Sequence, residues 1–120
     1  MSLQLQVREK DGVAIVDVSG RARLGEETAT LRDGLRELSA GGQRKILLNL
    51  ADLSYLDSSG VGVLVSGFAS ITNLGGQLKL VNLTNRVKDL LLITKLYTVF
   101  EVYDDEAVAI RSFTEAAVKA

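Results

Sequence analysis

Six residues, Lys45-Ile46-Leu47-Leu48-Asn49-Leu50, constrain this chain more than any others. The run is almost continuously apolar, as in a strand buried on both faces. Such a strand belongs inside a sheet that carries helices, and the flanking sequence supplies them. Before the run, Leu24, Thr28, Leu31, Leu35 and Leu38 recur at helical spacing, predicting a helix from Gly25 to Ala40 that stops at Gly41-Gly42. After it come a loop from Ala51 to Leu56 and then Asp57-Ser58-Ser59-Gly60. A second helix follows, with Val61, Leu64, Val65, Phe68 and Ile71 inward and Gly75-Gly76 at its end.

The two ends of the chain extend the pattern. Leu3-Gln4-Leu5-Gln6-Val7 alternates with the period of a half-buried strand. Asp11-Gly12 is a turn signal, and Val13 to Val18 completes an antiparallel hairpin ending at Gly20. Gln77 to Leu83 reads as a fourth strand. Thr84 can cap a third helix carrying Val87, Leu90, Leu91 and Thr94. A short extended piece is expected over Val99 to Val102. Asp104 can cap a last helix with Ala107, Ile110, Phe113 and Ala117 inward. The fold class is therefore α/β: a mixed four- to five-stranded sheet opening with a β-hairpin, with about four helices packed mainly to one side. At 120 residues, 47% hydrophobic and 24% charged, the chain is expected to form one domain over residues 1–120. It shows no repeat, linker or low-complexity tract.

Composition narrows the chemistry. There is no cysteine and no histidine. Disulfides, thiolate or zinc–histidine metal sites and the usual general base of a serine hydrolase are thereby removed. No metal and no cofactor is expected. The net charge of -1 argues against nucleic acid as a partner. Apolar runs such as Val61 to Val65 fall far short of the ~20 residues that span a bilayer. The N-terminus lacks a basic-then-apolar signal pattern, so a cytoplasmic, soluble protein is expected.

The most informative segment is Asp57-Ser58-Ser59-Gly60-Val61-Gly62, which follows a buried strand and opens a helix. Asp57 is a favoured N-cap type. Ser58 and Ser59 then occupy the first turn, where unpaired N–H groups and the helix dipole favour negative charge. Gly60 and Gly62 remove bulk beside the serines, so another surface can approach closely. The plain alternative is a capped helix with small residues against the sheet. A nucleophilic serine lacks a histidine base, and no spacing favours Lys45, Lys79 or Lys88 as a substitute. A phosphate-cradling loop is disfavoured because the lysine-serine/threonine end of a P-loop is missing. A phosphoacceptor switch fits better. Phosphate on Ser58 adds about -1.5 to -2 charge at a helix start that tolerates it, and a docked neighbour does not.

Gly20, Ile46-Leu47-Leu48-Asn49-Leu50, Leu56-Asp57-Ser58-Ser59-Gly60-Val61-Gly62-Val63-Leu64 and Gly75-Gly76-Gln77-Leu78 together resemble the STAS domain of bacterial anti-sigma-factor antagonists. The resemblance covers nearly the whole chain. It implies a partner-switching protein that is not itself an enzyme. The unphosphorylated domain binds an anti-sigma factor, often also a serine kinase, and a sigma factor is released. The kinase phosphorylates the serine after the aspartate, which is Ser58 here, and a protein phosphatase restores it. Asp57, Ser59, Gly60 and Gly62 match the motif around it. One departure is notable: Arg23 stands near the position of an aspartate common in the family, with Arg21 two residues earlier. These arginines are either solvated surface charge or determinants of partner choice.

Two other functions stay open. One is a STAS interaction subunit outside transcription, such as an adaptor of a lipid-transport ATPase or a sensory assembly. The other is a receiver domain phosphorylated on Asp57, although Arg8-Glu9-Lys10 stands where its magnesium-binding acids are needed. Asp104-Asp105-Glu106 reads as an acidic helix start rather than a cation site. Tyr97, Phe100 and Tyr103 read as a sheet-edge core cluster. Leu90 to Ile93 carries more apolar residues than one face needs.

Overall fold

The computed structural model describes residues 3–22 and 25–119, with side chains through residue 114. The chain runs β1 (Gln4–Lys10), β2 (Val13–Ala22), α1 (Glu26–Ala40), β3 (Lys45–Leu56), α2 (Ser58–Asn73), β4 (Gln77–Val81), α3 (Asn85–Ile93), β5 (Val102–Tyr103) and α4 (Glu106–Lys119). The strands form one mixed sheet in the order β1-β2-β3-β4-β5. β1 is antiparallel to β2, and every later pairing is parallel. This is the α/β architecture expected from the order of apolar patterns.

The hairpin turn follows from its two residues. Asp11 (φ 54°) and Gly12 (φ 79°) both adopt the left-handed conformation. That is the geometry whose twist matches paired strands across a two-residue loop, and Lys10 and Val13 duly face each other. Gly75 (φ 85°) serves the same steric need just beyond the end of α2.

Alternation along the strands divides the core. Ala14, Val16, Val18, Ile46, Leu48, Leu50, Leu78 and Leu80 meet α1, α2 and α3 through Leu31, Leu35, Val61, Leu64, Ile71, Val87 and Leu91. The intervening residues Val13, Ile15, Leu47 and Val81 meet Ala109, Ile110 and Phe113 of α4 on the opposite face. Both faces of β2, β3 and β4 are therefore covered, which explains their near-continuous apolar runs.

Several boundaries move for physical reasons. The loop expected from Ala51 to Leu56 is strand, because β2 continues to Ala22 and pairs Ser19, Gly20, Arg21 and Ala22 with Asp52, Leu53, Tyr55 and Leu56. Two irregularities in that pairing, after Asp17 and after Gly20, disrupt the alternation that would have revealed it. β1 is mostly exposed rather than half-buried. Val7 is 52% exposed, since β1 is an edge strand that α1 covers only in part. β4 stops at Val81, and the fifth strand lies at Val102–Tyr103 rather than over Val99 to Val102. Thr94 ends α3 as its C-cap. At α4 the capping side chain is Asp105, whose Oδ1 accepts from the Val108 amide at 3.1 Å, rather than Asp104. Ala107, expected inward, is exposed, and Ala109 is buried beside Ile110 and Phe113 instead. Leu24 lies outside the described residues, and Ala117 lies outside those with described side chains.

The aromatic residues near the sheet edge also separate. Phe100 stands edge-on to Phe68, with ring centroids 5.4 Å apart, on the three-helix side. Tyr103 packs on the α4 side. Among the described residues, no helix is long and apolar enough to cross a membrane.

Candidate functional site

The site is built where β3 hands over to α2. Asp57 lies between them in extended conformation (φ -106°, ψ -176°). Its backbone N–H donates to the Ala22 carbonyl at 3.4 Å, tying the junction to the end of β2. Its carboxylate turns into the first turn of α2. Oδ1 accepts from the amides of Ser59 (3.0 Å) and Gly60 (3.1 Å), and from the Ser59 hydroxyl. Asp57 is thus the N-cap that the sequence suggests.

This commitment separates the two serines. Ser59 is half-buried and spends its hydroxyl on Asp57. Ser58 is exposed at the first position of the helix. Because Asp57 already takes two first-turn amides, an anion on Ser58 would have to share the helix terminus with a carboxylate.

The two motif glycines face opposite ways. Gly60 is buried, and a Cβ there would stand 2.3 Å from Leu56 Cδ1 and 3.2 Å from the Ala22 oxygen. Its small size therefore serves close packing against β2 and β3, not the approach of an outside surface. Gly62 is exposed, and a Cβ there would meet nothing within 4 Å. Of the two, only Gly62 lowers the relief beside Ser58. α2 contains no charged residue at all.

Arg21 is exposed on β2, where it pairs in register with Tyr55 of β3. Arg23 lies outside the described residues. Another arginine, missed in the sequence, joins Arg21 at this end of the sheet. Arg86, in the first turn of α3, stands 5.8 Å from the centre of the Tyr55 ring. No local pattern links a residue in β3 with one in α3, so nothing in the sequence pointed to this pair.

Two of the lysines weighed as a base, Lys45 and Lys79, are poorly placed. Lys45 opens β3, eleven residues before Leu56, so roughly 36 Å of strand separates it from the α2 end. Lys79 lies on the α4 side of the sheet. It is 2% exposed and donates to Ser112 Oγ at 2.8 Å. Glu101 stands 3.3 Å from its Nζ, and the Phe113 ring centre 4.6 Å away. Lys88 lies on α3. Asp57 is bound into its helix terminus, and no group of three acidic residues that could hold a metal occurs among the described residues.

A second polar assembly crosses the α4 side. Arg8 Nε and Nη2 donate to the two carboxylate oxygens of Asp17 at 2.6 and 2.9 Å. Nη2 also reaches Glu106 at 2.8 Å. Asn49 donates to Asp17 at 2.8 Å, and Asn82 donates to Asn49 at 3.1 Å. The Arg8 hydrogen bonds hold the Asp17 carboxyl below the usual carboxylate range, against the opposing effect of burial and with help from Asn49. The sequence carried a signal for this chain. Asp17 and Asn49 are each the lone polar residue in an apolar run, and the register sets them side by side.

Fold and site together define a recognised class. The sequence profile of the STAS domain matches residues 4–109. The chain belongs to the STAS-domain family, and within it the resemblance is to anti-sigma-factor antagonists. The anti-sigma F factor antagonist of Paenibacillus polymyxa is 31% identical over 115 residues, covering 92% of this chain and 94% of that protein. The anti-sigma-B factor antagonist of Bacillus subtilis (strain 168) is 31% identical over 102 residues, covering 85% and 92%. The fold is shared with the Bacillus anti-sigma factor antagonist SpoIIAA. Its unphosphorylated form gives a TM-score of 0.75 at 20% identity, covering 89% of this chain and 93% of that one. Its phosphorylated form gives 0.71 at 19%, covering 91% and 98%.

Proposed function

We propose that this chain, as a single STAS domain over residues 1–120, is a cytoplasmic antagonist of an anti-sigma factor and is controlled by phosphorylation of Ser58. The exposed start of α2 docks on the anti-sigma factor, and the sigma factor is released. The same partner acts as a serine kinase. It transfers the γ-phosphoryl group of ATP to Ser58 Oγ, the hydroxyl proton leaves, and ADP departs. A protein phosphatase returns the hydroxyl. The observation that carries this proposal is the contrast between the neighbouring serines: Ser58 is exposed while Ser59 is bound to Asp57. The names of the curated relatives support the class of partner.

The switch is electrostatic. The phosphate would add about -1.5 to -2 charge. Since Asp57 already holds the Ser59 and Gly60 amides, that charge would remain at the surface instead of being drawn into the helix terminus. Enclosing it in an interface without a matching cation carries a desolvation penalty of several kcal/mol. A hundredfold loss of affinity needs only about 2.8 kcal/mol. Arg21, and Arg23 by its place in the sequence, bring positive charge to a region where the family commonly has an aspartate. They select a partner with complementary acidic groups.

The test combines binding with mass spectrometry. After incubation with ATP and the purified anti-sigma factor, phosphate is expected on Ser58. Ser58→Ala should bind and stay unmodified, and Ser58→Asp should bind at least tenfold more weakly while remaining folded. Phosphate on another residue, with Ser58 untouched, overturns the assignment.

A further inference from the structure

Beyond Ser58, α1 and α2 enclose a shallow groove of about 60 Å³, lined by Arg32, Leu35 and Arg36 on one wall and by Val63, Ser66 and Ser70 on the other. The helices approach closely here, and a Cβ on Gly67 would stand 2.8 Å from Leu35 Cδ1. Small-molecule sites occupy roughly 300–1,000 Å³, so this groove has room for side-chain ends rather than for a cofactor.

Its charge is one-sided. The charged residues that line it are both arginines. α2 contributes no charge. Of the acidic residues on α1, Glu37 lines a different groove, between α1 and the β1–β2 hairpin. Asp33 touches Arg32 only at 3.7 Å, with both side chains exposed, so it neutralises little. Arg36 has no carboxylate partner among the described residues. At 3.6 residues per turn Ser66 and Ser70 stand about 80° and 120° around α2 from Ser58, so the groove opens on a flank of α2 beside the face that carries Ser58.

We infer that this groove is a second docking contact, which receives the carboxylates of an acidic helical segment of the protein partner through Arg32 and Arg36. Guanidinium groups bind carboxylates through paired hydrogen bonds, and an unmatched arginine pair selects for them. The inference deepens the proposed antagonist role and rests on it for the identity of the partner. It also says how the two contacts divide the work. The α2 wall runs from Val63 to Ser70, five to twelve residues beyond Ser58, which is about 8 to 18 Å along a helix. That is at or beyond the Debye length of about 8 Å in physiological salt. A phosphate on Ser58 therefore leaves the groove's own affinity intact, and the two contacts contribute independently.

The experiment uses the full chain, isotope-labelled, titrated with a helical peptide carrying glutamates four residues apart and with its glutamine twin. Amide shifts are expected at Val63, Ser66, Gly67 and Ser70, with affinity at least tenfold weaker for the glutamine peptide. The double variant Arg32→Gln, Arg36→Gln should lose the same factor, with the rest of its spectrum unchanged as the check on folding. Ser58→Asp should bind the glutamate peptide within twofold of wild type. Shifts confined to other surfaces, equal binding of both peptides, or no shift at millimolar peptide overturns the inference. Those results leave Ser58-dependent binding of an anti-sigma factor standing. Conversely, an unmodified Ser58 beside a working groove removes the switch and keeps the contact.

Discussion

Replacing Gly60 and Gly62 separately by alanine should move stability in opposite directions. In a helix, alanine is favoured over glycine by up to about 1 kcal/mol. At Gly62 nothing lies within 4 Å of the new methyl group, so that gain should be kept. At Gly60 the methyl meets Leu56 Cδ1 at 2.3 Å and the Ala22 carbonyl oxygen at 3.2 Å. Leu56 is 3% exposed within the core, so it cannot swing aside without displacing its neighbours. The Ala22 carbonyl is held by the Asp57 amide. Overpacking of this kind costs about 1–3 kcal/mol, and two obstacles place it near the upper end. The expected net loss for Gly60→Ala is therefore about 2 kcal/mol, against a gain of about 0.5–1 for Gly62→Ala. Urea unfolding with a slope of about 1.5 kcal/mol per molar should separate the two midpoints by about 1.5–2 M. Equal midpoints would falsify the inward and outward assignment of the two glycines.

Three further outcomes follow from the same structure. Asp57→Ala removes the acceptor of two first-turn amides and should lower stability by about 1 kcal/mol in urea; no change would mean that another group caps α2. Asp17 should contribute to acid sensitivity. Its folded-state pKa lies below the unfolded value of about 3.9, so its contribution is complete above about pH 4 and is lost as pH falls through the lower folded value. Asp17→Asn should flatten that part of the stability–pH curve measured by urea midpoints, and an unchanged acid slope would refute the role of Arg8. Lys79→Met should leave stability unchanged or raise it by about 1 kcal/mol, because Glu101 is 63% exposed and Ser112 keeps its bond to the Ala109 carbonyl. Lys79→Ala, which empties space beside Phe113, should cost about 2–4 kcal/mol, and thermal denaturation of the pair checks both.

Elements with strong local signals were legible from residue order. The hairpin followed from Asp11-Gly12, and α2 from a cap followed by apolar residues at helical spacing. Thr84 caps α3 as expected, with its hydroxyl accepting from the Val87 amide at 3.2 Å. Weak local signals produced the errors. The second half of β3 lacks the alternation of a strand because its pairing with β2 is irregular. Two adjacent aspartates, 104 and 105, are equivalent as cap types, and only the path of the chain into α4 chooses between them.

At the candidate site the same division holds. Residue order alone determined that a capped helix begins at Ser58 after a buried strand, because capping and periodicity are interactions among near neighbours. It also excluded cysteine and histidine chemistry outright. Only the tertiary structure decided that Ser58 faces solvent, and that Gly60 serves the core while Gly62 serves the surface. It alone brought Arg86 over Tyr55, and Arg32 and Arg36 alongside α2. The reason is physical. Which side of a helix meets water depends on what packs against its other side, and those residues come from strands and helices distant in the chain.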